Sequence, residues 1–87
     1  MIDELIWDEW NEEHIWRHQV TPDEVEETVF GTGTWFTRTH TDRHIAWGVT
    51  DAGRYLVVVL ELLGGRRAYV ITARDMTDSE QRRYKSR

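Results

Sequence analysis

The stretch YLVVVLELLGGRRAYVITA, residues 55–73, decides the fold. Tyr55 to Leu62 is an apolar run of strand length, Gly64-Gly65 is a strong hairpin signal, and Ala68 to Ala73 reads as the returning strand. The unbroken apolar run from Tyr55 to Leu60 predicts a central strand covered on both faces, or nearly so. Upstream, Asp51-Ala52-Gly53 turns the chain out of a strand over Ile45 to Thr50. Thr41 and Asp42 turn it out of another over Thr34 to His40. The expectation is a four-stranded antiparallel meander.

Helix signals flank this sheet. Asp8 can cap a helix from about Glu9 to His18, with Trp10, His14 and Arg17/His18 at helical spacing. Thr21 is an N-cap, Pro22 occupies the first helical position and Glu24 completes a capping box. Val20 and Val25 fill the two positions of a hydrophobic staple. This second helix runs to about Phe30, where Gly31 and Gly33 end it. At the other end Thr77 and Glu80 form a second capping box, ahead of a short basic helix with Arg82, Arg83, Tyr84 and Lys85. Helices packed on an antiparallel sheet define one α+β domain over residues 1–87.

Composition narrows the function classes. Ten aromatic side chains, five of them tryptophan, supply core or interface area that so short a chain otherwise lacks. Without cysteine, disulfides and thiolate metal sites are excluded. No secretory leader is read at the start, where Asp3, Glu4 and Asp8 interrupt the apolar residues, and no apolar run can span a bilayer. The expectation is a cytoplasmic protein. The net charge of −5 is unevenly spread. Residues 1–30 hold ten acids against one base, whereas residues 31–87 hold six acids against ten bases. Such a chain can bind a polyanion at one end while repelling it at the other, or simply present two solvated faces.

Two groups of residues could carry chemistry. His14 and His18, spaced i, i+4, could share a metal on a helix face, but no second spacing motif supplies a third ligand. The alternative is that both imidazoles donate hydrogen bonds to the sheet. His40 and His44 flank a turn and are candidates for general acid–base work. In the C-terminal third, Arg74 at a strand end could converge with Arg83 and Tyr84 on the terminal helix. Arginine forks match phosphate oxygens, and tyrosine can stack on a base or pass a proton. RNA strand cleavage needs such groups: one to take the 2′-hydroxyl proton, a cation for the phosphorane, one to protonate the leaving oxygen. Equally, Arg74 could pair with Glu80 or Asp75 and staple the last helix to the sheet.

Three blocks together resemble the BrnT family of type II toxins, in the RelE-like superfamily. They are Trp10 to Val20 with the Thr21-Pro22-Asp23-Glu24 start that follows, Gly48 to Val59, and Ile71-Thr72-Ala73-Arg74-Asp75-Met76-Thr77 with Glu80-Gln81-Arg82-Arg83-Tyr84. They cover nearly the whole chain in the family's order; where the family has glycine after its helix-end histidine, this chain has Gln19. The resemblance implies a RelE-like fold and a ribonuclease toxin that cuts RNA without metal or cofactor, the RNA being free or ribosome-presented. It implies an antitoxin partner of the ribbon-helix-helix kind, operator DNA bound only through that complex, and no membrane partner. It marks Arg74 for phosphate charge, with Arg83, Tyr84, Glu80 and His18 as the other matching site residues. The competing expectation is a non-catalytic toxin-fold module that only pairs with an antitoxin or tunes its operon, with contacts on the acidic helices.

Overall fold

The computed structural model describes residues 2–87. Its elements are β1 (Glu4–Ile6), α1 (Glu9–Trp16), α2 (Pro22–Val29), β2 (Trp35–Arg38), β3 (His44–Val49), β4 (Tyr55–Gly64), β5 (Arg67–Asp75) and α3 (Asp78–Ser86). The strands form one sheet in the order β1-β5-β4-β3-β2. Strands β2 to β5 are the expected antiparallel meander, and β4 occupies the centre. The expected four-stranded antiparallel sheet is corrected to a five-stranded mixed one, because β1 adds to β5 in parallel, Leu5 opposite Ala68. A three-residue strand has too little alternation to announce itself, and its partner lies some sixty residues away.

Side chains alternate across the sheet, so each face has its own core. Leu56, Val58 and Leu60 of β4 point to the face covered by α1 and α2, where they bury Ile15, Val20, Val25 and Val29. Val57 points to the opposite face, where Met76 and Tyr84 close a smaller cluster ringed by Trp35, Trp47 and Tyr55. Gly48 lies under α2; a Cβ there would stand 2.8 Å from the Thr28 carbonyl oxygen, so glycine lets the helix lie close to the sheet.

Both predicted capping boxes form, and Asp8 with Asn11 makes a third at α1. Asn11 is fully buried. Its amide nitrogen donates to the carbonyls of Ile6 and Val70 at 2.9 and 3.1 Å, while its oxygen accepts from the Asp8 backbone N–H. One side chain thus joins α1 to both β1 and β5 with its polar groups satisfied.

The chain turns sharply between α1 and α2. Helix α1 stops at Trp16, before the expected His18, and Gln19 adopts φ +57°. This is the left-handed position that glycine fills without steric cost, so Gln19 is mildly strained there. Arg54 secures the turn. Its guanidinium donates to the carbonyls of His18 and Gln19, to Glu24 at the start of α2 and to Asp75 at the end of β5. Those carboxylates raise the Arg54 pKa, and Arg54 in turn holds Asp75 below the ordinary carboxylate range.

Two substitutions test this corner by denaturant unfolding. Gln19→Gly relieves the left-handed strain and should stabilise the fold by about 0.5–1 kcal/mol, net of glycine's greater chain entropy. Arg54→Ala leaves two carboxylates and two carbonyls without their donor and should cost about 2 kcal/mol.

Candidate functional site

Helix α3 lies across the sheet face opposite α1 and α2. Tyr84, its one buried residue, meets Tyr55 edge-on at 6.0 Å between centroids, and its hydroxyl donates to the Gly33 carbonyl at 2.7 Å. From this seat the helix places its cations over aromatic rings. The Arg83 guanidinium is 6.0 Å from the centroid of Trp35, and the Lys85 ammonium is 5.0 Å from that of Tyr55. Trp35 and Trp47 pack at 5.6 Å with their planes tilted by 33°, and the Trp47 indole N–H donates to Thr37. The result is a half-buried aromatic floor with a basic rim, a combination that suits phosphates beside unpaired bases.

Arg74 reaches the same region from β5. Its two terminal nitrogens donate to the two Glu80 oxygens at 2.7 and 3.0 Å, a bidentate pair, and one of them also donates to the Asp75 carbonyl. Glu80 meanwhile accepts from the Thr77 backbone N–H to close the capping box of α3. Of the two expectations for Arg74, pairing with Glu80 to hold the last helix against the sheet is therefore the one observed. A guanidinium has five N–H donors. The three bonds above leave its Nε and one terminal N–H without a partner among the described residues.

The electrostatics follow. The Arg74 hydrogen bond lowers Glu80 from its ordinary 4.5 to about 2, while Glu80 raises Arg74. At neutral pH Glu80 is a carboxylate of low basicity, so it neither gives a proton nor takes one readily. The cluster can hold and neutralise an anion, but Tyr84's hydroxyl and Glu80 are already committed to structural bonds.

The structure joins Arg74 to Glu80, and Arg83 and Tyr84 follow Glu80 on the same helix, where they meet Trp35 and Tyr55. His18 does not join them. It lies in the α1–α2 turn, and its carbonyl accepts from Arg54. Nor do His14 and His18 donate to the sheet as expected: the His14 ring stacks on Trp10 at 5.0 Å, and the His18 side chain is exposed. Among the described residues no three or more histidines, aspartates and glutamates gather as a metal site, and no helix is long and apolar enough to cross a membrane. On the other face a cleft of about 490 Å³ opens between Phe30, Phe36, His44 and Leu62. His44 Nδ1 is buried there without a hydrogen-bond partner among the described residues.

Sequence reasoning missed the roles of Trp35, Trp47 and Tyr55. Their alternation with the buried Ala46, Leu56 and Val58 was the available signal. In comparisons with known proteins, the chain matches no family model and no curated protein.

Acid unfolding tests the Arg74–Glu80 pair. A depressed carboxyl stabilises the fold fully above its unfolded-state pKa, near 4.5, and loses that contribution as the pH falls toward about 2. Glu80→Gln should lower stability at pH 7 by about 1 kcal/mol, a figure discounted for the exposure of Arg74. It should also flatten the stability–pH curve between pH 4.5 and 2, as followed by circular dichroism.

Proposed function

We propose that the chain is a RelE-like toxin of the BrnT type that binds RNA on the α3 face and cleaves it without a metal. The observation that carries this reading is the aromatic floor under Arg83 and Lys85, with Arg74 opposite Val57 of that cluster in the strand register. Phosphates would meet the cations while unpaired bases stack on the rings. The three sequence blocks that resemble the family supply the reaction class, and the α+β order of elements agrees with it. In this reading Arg83 and the free N–H groups of Arg74 stabilise the phosphorane charge. A ribbon-helix-helix antitoxin silences the protein and carries the pair to operator DNA.

A second reading rests on the pairing of Arg74 with Glu80 and the engagement of the Tyr84 hydroxyl. With both groups committed, the face would bind without cutting, and the protein would act only through an antitoxin.

Induced expression with total RNA analysis separates the two. Wild-type protein should arrest growth and deplete RNA, and Arg83→Ala, at an exposed position where the side chain's one described contact is the Trp35 ring, should reduce both effects at least tenfold. Arg74→Ala should abolish them, with circular dichroism confirming its fold. Normal growth with intact RNA from soluble, folded wild-type protein would reject the ribonuclease reading in favour of the binding module.

A further inference from the structure

Helix α1 buries Asn11 and Ile15, which fixes the direction of its outward side. At 100° per residue, Glu9 and Glu13 run along the outward ridge, flanked by Trp10 and Trp16. These two rings are 60% and 61% exposed, more than any other large apolar side chain described. Together they leave roughly 200–300 Å² of ring surface in water, divided between the two flanks of the acidic ridge. Trp10 is also held flat against His14, with 8° between the planes, so little freedom remains to be lost on binding.

The charges around the rings say what could cover them. Glu9, Glu12 and Glu13 are exposed and take part in no ion pair among the described residues. The glutamates of α2 differ: Glu24 pairs with Arg54, Glu26 accepts from the Trp7 indole, and Glu27 accepts from the Asp51 backbone, which leaves Asp23 as the one exposed acid of α2 without an ion pair among the described residues. Asp8 is likewise engaged, by Tyr69, and Arg17, the C-cap of α1, is the one arginine or lysine between Glu9 and Phe30. A net negative face repels nucleic acid, and pairing it with a second copy would set like charges against each other. A cationic partner gains from both the rings and the charges.

We propose that the outward face of α1 is a docking surface for a basic amphipathic helix of another protein. Apolar side chains of that helix cover Trp10 and Trp16, and its lysines or arginines meet Glu9, Glu12 and Glu13. The two tryptophans are about 9 Å apart along the helix axis and on opposite flanks of the acidic ridge, so a helix that crosses the ridge obliquely meets both rings and the carboxylates between them. This surface lies on the opposite side of the sheet from α3, so it does not depend on the RNA reading.

The probe is a labelled helical peptide of lysines with leucines at i, i+3, i+4 and i+7, beside a scrambled peptide of the same composition. Binding to the full-length protein is followed by fluorescence anisotropy at two salt concentrations. The ordered peptide should bind, and the Trp10→Ala/Trp16→Ala double variant should weaken it at least tenfold. Glu9→Gln/Glu12→Gln/Glu13→Gln should weaken it several-fold and flatten its salt dependence, whereas Phe36→Ala, in the distant cleft, should leave it unchanged. Equal binding of the scrambled peptide, no binding of the ordered one, or full binding by the tryptophan variant would overturn the proposal. So would loss through Phe36→Ala, or a wild-type dimer that Trp10→Ala/Trp16→Ala dissolves, which would assign the patch to a second copy. Because thermal unfolding of these exposed variants is read alongside, loss of binding is not confused with loss of fold.

Discussion

The side chain of Arg54 joins three parts of the chain that no stretch of sequence brings together. It ends the turn after α1, meets the first turn of α2 and reaches the last residue of β5. The two carbonyls it satisfies belong to residues at a helix end, where backbone acceptors otherwise face solvent or stay unpaired. The surrounding acids hold the cation, and the cation lowers the pKa of Asp75 below the ordinary carboxylate range. The helical layer is registered on the sheet by this one fork together with Asn11, and the hydrophobic core fills the space they define.

Charge is divided by the same sheet. Three acids of α1, Glu9, Glu12 and Glu13, stand without an ion pair among the described residues, and Arg83 and Lys85 of α3 stand over aromatic rings on the opposite face. Each face is therefore suited to a different chemical class, and the small net charge of the whole conceals the contrast. Helix α3 is held by a ring, a hydroxyl and one bidentate pair, all of which also shape the surface it presents. Structure and candidate chemistry share the same side chains there, so a variant of Arg74 or Tyr84 perturbs both, and Arg83 is the cleaner probe.

Elements with local signals were legible in the sequence. The boxes at Thr21/Glu24 and Thr77/Glu80 are three-residue patterns, and both formed at the expected positions. The central placement of β4 followed from its unbroken apolar run. What escaped was non-local. Strand β1 needs β5 to exist, Asn11 looks like any helix-surface asparagine until Val70 is beside it, and Arg54 has partners more than twenty residues away. At the candidate site, the reach of Arg74 to Glu80 was one of two readable alternatives. The bond from Tyr84 to Gly33 spans 51 residues and had no signal.

The parallel pairing of β1 with β5 has a consequence for the order in which the molecule assembles. Glu4 faces Arg67, so the first strand made is completed by nearly the last. During synthesis α1 and α2 leave the ribosome before the surface that buries Ile15 and Val25 exists, and their apolar sides must wait for the hairpin of β4 and β5. Closing so long a loop is an entropic barrier that local helix formation does not reduce. The core under α1 and α2 can therefore close only once β4 and β5 have been made.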